Sequence, residues 1–433
     1  MPENIKVNVH HVTRVEGHGN IVVDVRDGTL EKCELQIVET PRFFEAMLRG
    51  RPYQQASHIT SRICGICAVG HATASLRATE RALKVELSEQ TKRLRRLAFH
   101  GEMLDSHILH VYMLVAPDFL GVGSVIPLAT SHPDIVKRAL RMKKFSGDLC
   151  QAIVGRHTHP IAMTVGGFTH FPTVQELEAL RERAQEMLAD VDATVELFGA
   201  LPWPAFERET EYVALVQPDD YGFIDGKIAS SDGYELDVDD YRKVTNERLV
   251  PHSTAKHTAF NRDSYMVGAL ARFNLKHQHL SPRAKTAASH LGLKAPCYRP
   301  YLNSAAQVVE IVHCVDDAIR VLDTLIERGV EREAPAPVTL APHARGVGAC
   351  DVPRGILVHE YQIGEDGLIE EASCNIPTGQ NLANIDRDMR ALVPTILTEP
   401  EDQIALKLEM LVRAYDPCIS CSTHFLNVEF TGK

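Results

Sequence analysis

The C-terminal region carries the run DPCISCSTH at residues 416–424, in which two cysteines form a CxxC pair followed by a histidine. A matching run, RICGICAVGH at residues 62–71, lies near the other end of the 433-residue chain. Thiolates at positions i and i+3 can reach one metal ion, because a turn or the start of a helix brings them together. The two runs therefore predict the two halves of a single metal site. The four cysteines are Cys64, Cys67, Cys418 and Cys421.

Two CxxC pairs are compatible with several kinds of metal site. Structural zinc ribbons close a loop of about 15–20 residues between their pairs. Here almost the whole chain separates the pairs, so a small zinc knot is disfavoured. A thioredoxin-like redox pair is also disfavoured, because neither pair follows a βαβ pattern. Four soft thiolates favour late transition metals or iron–sulfur chemistry, and the spacing does not choose between them.

The composition is that of an ordinary globular protein, with 44% hydrophobic and 24% charged residues. The net charge of -11 argues against a nucleic-acid partner, because phosphate contacts need clustered lysine and arginine. Ten cysteines are too few for a disulfide scaffold of this length, and free thiols suit a reducing compartment. The N-terminus has no signal pattern, and the chain has no apolar run of about 18 residues. We therefore expect a cytoplasmic protein without a membrane span.

Apolar periodicity predicts a mainly α-helical, α+β protein. Alternating apolar residues around Asp-Gly turns predict β-hairpins over 19–39 and 354–372. A short helix is predicted at 42–49, an irregular β-rich excursion at 203–265, and a linker rich in proline and alanine at 335–348. Apolar residues at three-to-four spacing predict the longer helices, over 66–86, 88–115, 134–154, 174–201, 304–328 and 399–414.

These elements predict a central helical bundle that carries the metal site, with antiparallel β-hairpins at the periphery. The chain, residues 1–433, is predicted to form one domain. Along it we distinguish an N-terminal β-rich region, a helical core, the excursion, a second part of the core with the C-terminal motif, and a tail. Their boundaries are 1–60, 61–200, 203–265, 266–424 and 425–433.

The two cysteine runs resemble the RxCGxCxxxH and DPCxxCxxH motifs of the large (alpha) subunit of nickel–iron hydrogenases. The resemblance covers nearly the whole chain and includes RVEGH at 14–18, PRFFE at 41–45, PRG at 353–355 and IPT at 376–378. Finding all of these runs in the family's order is highly specific. The resemblance implies a mostly helical subunit that catalyses the reversible oxidation of dihydrogen.

The resemblance also implies the ligands of the metal centre. Cys64 and Cys418 correspond to terminal ligands of nickel. Cys67 and Cys421 correspond to bridges between nickel and an iron that carries carbon monoxide and cyanide. Thiolate suits bridging, because its sulfur has spare lone pairs and little hydration to lose. The metals would act as Lewis acids, and Cys418 would accept the proton when dihydrogen is split.

Three residues outside the cysteine pairs match catalytic positions of the family. Glu16 matches the glutamate that relays the proton outward, and a carboxyl group beside anionic thiolates can exchange a proton. Without the resemblance, the default reading of Glu16 would be a surface ion pair with Arg14. Arg354 matches the guanidinium over the open metal face, where it can also hydrogen-bond a cyanide. Asp416 resembles its carboxylate partner.

Further residues match positions that bind or support the cofactor. Thr378 matches the position whose hydroxyl bonds the other cyanide. Pro353, which begins the PRG run that contains Arg354, is also expected to bind the cofactor. His71 resembles a donor to a cysteine sulfur that fixes the ligand without binding metal itself.

A second metal position is also implied by the resemblance. Its ligands would be Glu45, His424 and the backbone carbonyl of Cys374. A carboxylate and a carbonyl suit the hard cation magnesium, whereas an imidazole is less usual for it, so magnesium and iron both stay open. The remaining histidines are interpreted as core or surface groups; among them are His107, His110, His252 and His257.

Partners follow from what the chain lacks. The cysteines outside the two pairs show no cluster spacing, so an iron–sulfur small subunit is implied. The stretches 155–167, 252–257 and 265–269 look most like the cytoplasmic branch with sulfhydrogenase-type alpha subunits, whose flavin and ferredoxin-like partner subunits use NAD(P). Family members are usually clipped after the histidine of DPCxxCxxH. Residues 425–433 are therefore predicted to be a cleavable tail, and a maturation protease acting after His424 is a predicted partner.

Other readings of the chain are kept as alternatives. A hydrogenase linked to ferredoxin, F420 or a heterodisulfide differs only in its acceptor. A hydrogen-sensing regulatory member has the same ligands but typically lacks the tail. A quinone-reducing respiratory subunit of this fold typically lacks the four cysteines. A zinc-only scaffold protein is the least favoured reading.

Overall fold

The computed structural model describes residues 4–423 of the chain. Helices account for most of its regular secondary structure. They begin and end as follows: α1 (Phe44–Leu48), α2 (Ala56–Thr60), α3 (Ala68–Ala82), α4 (Glu89–Ile108), α5 (Ala116–Phe119), α6 (Val125–Ser131), α7 (Pro133–Val154), α8 (Val174–Glu186), α9 (Leu188–Gly199), α10 (Ala269–Lys276), α11 (Pro282–His290), α12 (Asn303–Arg328), α13 (Pro377–Ile396), α14 (Glu401–Ala414) and α15 (Ile419–Ser422).

The strands form small sheets around these helices. They are β1 (Asn4–Val9), β2 (Gly19–Arg26), β3 (Thr29–Ile37), β4 (Met163–Thr164), β5 (Gly167–Phe168), β6 (Glu211–Val216), β7 (Lys227–Ser230), β8 (Glu235–Leu236), β9 (Arg248–Val250), β10 (Ser253–His257), β11 (Tyr265–Met266), β12 (Ala344–Val352), β13 (Gly355–Ile363) and β14 (Ile369–Asn375).

Most strand pairs are antiparallel hairpins. The sheet orders are β1-β2-β3, β12-β13-β14, β11-β6-β7-β8, β10-β9 and β4-β5. The pairing of β11 with β6 is parallel, which joins the two ends of the central β-rich excursion. A helical core with peripheral antiparallel hairpins and a β-rich excursion in the middle confirms the predicted fold class.

The helical core is built from the long amphipathic helices. α4 packs against both α7 and α12, and α12 also packs against α8. The 26-residue α12 buries almost all of its first half. Ser88 caps α4, since its hydroxyl accepts a hydrogen bond from the backbone N–H of Thr91. α4 then continues through Leu109–Val115 as a π-helix, so the predicted helix over 88–115 exists but changes its pitch.

The sheet β12-β13-β14 covers one side of α3 at very short range. A Cβ atom on Gly348 would lie 2.1 Å from the carbonyl oxygen of Ala74 and 2.4 Å from the backbone nitrogen of Ala78. Backbone therefore packs directly on backbone, and only glycine fits. This contact fixes α3, which begins directly after Cys67, against the sheet that ends at Asn375.

Gly348→Ala should destabilise the protein, because its methyl group would overlap backbone atoms that have no rotamer to move to. Overpacking of this kind costs about 1–3 kcal/mol, which corresponds to a lower apparent unfolding temperature. Thermal unfolding followed by circular dichroism measures the shift. The matched control is Gly123→Ala, where a Cβ atom would meet nothing within 4 Å. Equal unfolding temperatures for the two variants would contradict the close packing.

Several elements differ from the sequence prediction. The predicted linker over 335–348 is wrong in its last residues, because β12 begins at Ala344. Its small residues are buried on both faces, so the strand lacks the alternation that would reveal it. The helix predicted over 174–201 breaks at Met187 into α8 and α9. Within residues 4–423, none of the helices is long and apolar enough to span a membrane.

Candidate metal centre

The structure brings the two cysteine runs together in the interior. The Sγ atom of Cys64 lies 3.1 Å from that of Cys67 and 3.5 Å from that of Cys418. With Cys421, the four sulfur atoms all lie within 4.8 Å of one another, and all four residues are buried. Each of them is a reduced cysteine and not half of a disulfide. A compact group of four sulfurs is therefore available to bind metal.

Local backbone geometry places the C-terminal pair. α14 ends at Ala414, and Asp416 then takes a positive φ of 51°. Aspartate tolerates this left-handed conformation better than most residues, and it turns the chain sharply into the cysteine run. Cys418 immediately precedes α15, which contains Cys421, so the CxxC spacing points both sulfurs to one side.

The charge of the sulfur cluster explains why it needs a cation. Hydrogen bonding, first from Cys418, holds the pKa of Cys64 well below its usual range. The pKa of Cys418 is raised well above its usual range, first by hydrogen bonding to Cys421 and also by burial. These opposite shifts concentrate negative charge on one sulfur. Ionising all four requires positive charge among them, which fits soft, thiolate-binding divalent metals such as nickel and iron.

Glu16 lies directly against the C-terminal cysteine pair. Its Oε2 atom is 3.1 Å from the Sγ atom of Cys418 and accepts a hydrogen bond of 3.1 Å from the backbone N–H of Ser420. The carbonyl of Glu16 accepts another, of 2.9 Å, from the N–H of Ile419. Gly17 follows with φ +90°, and a Cβ atom there would lie 2.6 Å from the Cβ of Ile419. The RVEGH run therefore packs directly against the DPCISC run.

Arg14 does not pair with Glu16 as the default interpretation had it. Its guanidinium instead forms an ion pair with Asp118 and donates to the carbonyl of Leu114 at 2.8 Å. This pair ties the RVEGH run to the helical core and leaves the Glu16 carboxylate facing Cys418.

Arg354 and Asp416 form a buried pair beside the sulfurs. The Nη2 atom of Arg354 donates to Oδ1 of Asp416 at 2.9 Å, and its Nε atom donates to the Asp416 carbonyl at 2.7 Å. Its Nη1 atom donates to Oγ of Ser106 at 3.2 Å. Gln307 donates to the other carboxylate oxygen of Asp416 at 3.0 Å. Each of the three guanidinium nitrogens of Arg354 donates a hydrogen bond. The buried guanidinium is therefore held in one orientation at the site.

Of the other predicted cofactor-binding residues, Thr378 contacts the cysteine run directly. The Oγ1 atom of Thr378, at the start of α13, accepts a hydrogen bond of 3.0 Å from the backbone N–H of Cys418. The carbonyl of Pro353 accepts one of 3.0 Å from Arg272. His71 is buried on α3, and its Nδ1 atom lies 3.2 Å from Nε2 of His359.

Two of the three residues predicted for the second metal position, Glu45 and Cys374, lie next to each other. The Oε1 atom of Glu45 accepts a hydrogen bond of 2.7 Å from the backbone N–H of Cys374, which is the last-but-one residue of β14. The carboxylate thus contacts the N–H of Cys374, whereas the predicted ligand is the carbonyl of that residue, so the metal position stays a prediction. The third predicted ligand, His424, lies outside the described residues, as does the predicted tail.

One face of α4 contributes polar groups that the sequence analysis did not select. Glu102, Ser106 and His110 follow one another at four-residue spacing. The carboxylate of Glu102 accepts hydrogen bonds from the backbone N–H groups of Val69 and Gly70, at the start of α3. Burial raises the pKa of Glu102 to about 8. Polar residues interrupting the apolar stripe that begins at Leu94 were the available signal.

Comparison with known proteins agrees with this geometry. The family model described as nickel-dependent hydrogenase matches residues 42–134 and 234–424. A second model, described as HoxL-like, matches residues 6–40. The alpha subunit of sulfhydrogenase 2 from Pyrococcus furiosus is 31% identical, over 98% of this chain and 100% of that protein. The alpha subunit of sulfhydrogenase 1 from the same organism is 32% identical, over 98% and 99%.

A more distant relative and a solved structure extend the comparison. The NAD-reducing hydrogenase HoxS subunit beta from Cupriavidus necator is 28% identical, over 97% of this chain and 95% of that protein. The crystal structure of an NAD+-reducing [NiFe]-hydrogenase in the H2-reduced state is 28% identical and superposes with a TM-score of 0.88, over 97% of this chain and 99% of that one. With the family model spanning both cysteine pairs, the chain belongs to the nickel-dependent hydrogenase family, as a large subunit.

Proposed function

We propose that this large subunit catalyses the reversible heterolytic cleavage of dihydrogen into protons and electrons. The observation that carries the proposal is the cluster of four buried sulfurs with the Glu16 carboxylate 3.1 Å from one of them, Cys418. Such a cluster offers a metal site and a proton acceptor in contact with each other. When bound, a nickel–iron centre supplies the Lewis acidity that splits dihydrogen and the redox chemistry that takes up its electrons.

The cysteines are proposed to divide the work of binding this centre. Cys64 and Cys418 would be terminal ligands of nickel, and Cys67 and Cys421 would bridge nickel to the iron. The 3.5 Å between the sulfurs of Cys64 and Cys418 suits two ligands of one ion. Carbon monoxide and cyanide are proposed as the remaining ligands of iron.

The residues around the sulfurs are proposed to hold those diatomic ligands and the substrate. Arg354, fixed by Asp416 and Ser106, places a guanidinium at the site that can donate to a cyanide nitrogen. Pro353 and Thr378 would line the same pocket. The Thr378 oxygen already accepts from Cys418, which leaves its hydroxyl hydrogen free to be directed to an acceptor. His71 would orient a neighbouring cysteine sulfur.

The proposed proton path starts at the sulfur of Cys418. The Sγ atom of Cys418 lies 3.1 Å from Oε2 of Glu16, so a proton on this sulfur is within reach of direct transfer to the carboxylate. The N–H of Ser420 holds the accepting oxygen in place. Glu16 would then pass the proton toward the protein surface. Glu45, the carbonyl of Cys374 and His424 are proposed to bind magnesium or iron at the second position.

Electrons are proposed to leave through an iron–sulfur small subunit, and then through flavin and ferredoxin-like subunits to NAD(P). Support comes from the NAD-reducing hydrogenase among the relatives and the solved NAD+-reducing enzyme. Sulfhydrogenases and F420-non-reducing hydrogenases are also relatives, so ferredoxin or sulfur-containing acceptors form the second candidate. A cytoplasmic location fits the reduced thiols of every described cysteine. A maturation protease acting after His424 is proposed as a further partner.

Elemental analysis and infrared spectroscopy of the purified complex test this function. We expect about one nickel per large subunit and iron in excess of nickel, because the iron–sulfur subunit adds its own iron, together with infrared bands from metal-bound carbon monoxide and cyanide. Hydrogen uptake with NAD+, NADP+, ferredoxin or F420 as the acceptor distinguishes the branches. Zinc in place of nickel, or the lack of carbonyl and cyanide bands in the processed complex, would overturn the proposal.

A further inference from the structure

A second group of metal-ligating side chains lies outside the cysteine centre. His252, His257 and Asp386 each place a ligand atom within 4.8 Å of the other two. His252 stands immediately before β10, His257 ends that strand, and Asp386 lies in the middle of α13. Within residues 4–423, this trio and the four cysteines are the groups of metal-ligating side chains close enough to share one ion.

The distances within this trio are close to those of a metal site. The Nε2 atom of His252 lies 3.2 Å from Oδ2 of Asp386. The ring centroids of His252 and His257 are 5.3 Å apart. Zinc bonds to imidazole nitrogen and carboxylate oxygen are about 2.0–2.2 Å, so neighbouring ligand atoms of a tetrahedral ion are about 3.4 Å apart. Small side-chain rotations would therefore bring all three ligand atoms onto one ion.

An ion pair between His252 and Asp386 does not account for His257. That imidazole is only 4% exposed, and its Nε2 atom is buried with no hydrogen-bond partner in the described structure. A buried polar atom without a partner is costly, and a metal ion would satisfy it.

The carboxylate is already oriented as a metal ligand would be. The Oδ1 atom of Asp386 accepts a hydrogen bond of 2.8 Å from the backbone N–H of Leu35 in β3, which leaves Oδ2 directed to His252. Such outer contacts orient ligating carboxylates and tune metal affinity. The side chains of His252 and Asp386 are 19% and 14% exposed, so an ion can reach the site from solvent.

We propose that His252, His257 and Asp386 bind a divalent transition-metal ion, with zinc the best match to two imidazoles and one carboxylate. A fourth, open position would take water. The ion would tie β10 to α13 and, through Leu35, to β3. Thr378, in the first turn of α13, contacts the backbone of Cys418. The ion would therefore stabilise the helix that contacts the C-terminal cysteine pair. This inference is independent of the reaction at the cysteine centre.

Zinc titration of the purified full-length protein tests the proposal. Metal-to-protein ratios after gel filtration should show one more bound zinc per chain in the wild type than in His257→Gln or Asp386→Asn. The difference between proteins excludes ions on the four cysteines, because these are the same in every variant. Residual binding at the site should be weaker by at least about 10–100-fold, the loss that even an outer-shell change produces.

Cobalt gives an independent reading of the ligands. Co2+ at the trio should add visible d–d absorption without thiolate-to-metal charge-transfer bands, and this component should be missing from His257→Gln. His343→Gln is the matched control, because it removes an exposed histidine that also pairs with a carboxylate, that of Glu370 at 2.7 Å. If His257→Gln does not fold, His252→Gln replaces it, since that side chain is less buried. Equal zinc ratios in the wild type, the trio variants and the control would overturn the proposal.

Discussion

Cys421→Ser should yield a folded large subunit that lacks the nickel–iron centre and does not oxidise dihydrogen. Cys421 is 2% exposed and lies in the four-sulfur cluster. A serine hydroxyl is a hard and weakly acidic group, so it cannot replace a soft thiolate that is proposed to bridge two metals. We expect the affinity for nickel to fall by more than about 10–100-fold and bound nickel to be lost, since the lost group is a ligand and not merely an outer contact.

The matched control for this experiment is Cys314→Ser. Cys314 is also a fully buried, reduced cysteine, but it lies in α12 and outside the cluster. A serine within a helix can donate to the carbonyl four residues earlier, so its hydroxyl need not stay unsatisfied. This variant should keep its nickel and iron. A Cys421→Ser protein with the metal content of the wild type would refute the bridging role.

The metal centre could be anticipated because its residues occur in short runs with fixed spacing. The pairing of the two runs did not depend on knowing the fold between them, since four thiolates favour one soft metal site wherever they meet. The neighbours of the cysteines were harder to find. Ser106 and Gln307, which hold Arg354 and Asp416, lie in helices whose periodicity marks them only as buried.

The periodicity of the chain predicted the long amphipathic helices well, and it predicted strands that are buried on both faces poorly. α7 and the second half of α12 bury one broad apolar face, which leaves a clear pattern at three-to-four spacing. β12 buries both faces against α3 and its own sheet and uses glycine and alanine to do so, and it therefore looked like a linker. α13 was missed because its buried face includes polar side chains such as Asn381 and Asn384, which accept hydrogen bonds from the backbone of Val267 and the hydroxyl of Thr210.

Buried histidines can be told apart only by their neighbours in the folded structure. His107 is fully buried and lies 2.8 Å from the carboxylate of Glu310, as a core histidine with a partner would be. His110 bonds Gln307 and the carbonyl of Arg413. His257 is also buried and has no partner at Nε2, but unlike His107 it lies with a second histidine and an aspartate in a trio of potential ligands, a difference that the sequence alone does not contain.

Glu16→Gln should leave the metal centre intact and remove most of its turnover. Glutamine keeps the length and shape of glutamate, and its amide oxygen can still accept from the N–H of Ser420, but it cannot take up a proton from Cys418. Loss of a positioned acid–base group slows catalysis by about 10²–10⁴-fold. Hydrogen oxidation by the purified complex measures the loss, and metal analysis and infrared bands show that the centre is unchanged.

Only the glutamine variant separates proton transfer from scaffolding at this position. The backbone carbonyl of Glu16 bonds Ile419, and its carboxylate bonds Ser420, so Glu16→Ala would also loosen the cysteine run. Glu409→Gln is a suitable control, because that carboxylate bonds the N–H of Thr13 on the same N-terminal segment but lies outside the sulfur cluster. If Glu16 relays protons, isotope exchange between dihydrogen and deuterated water must fall together with turnover. Normal hydrogen oxidation in Glu16→Gln would place the proton path elsewhere, with Glu102 as the next carboxyl to replace.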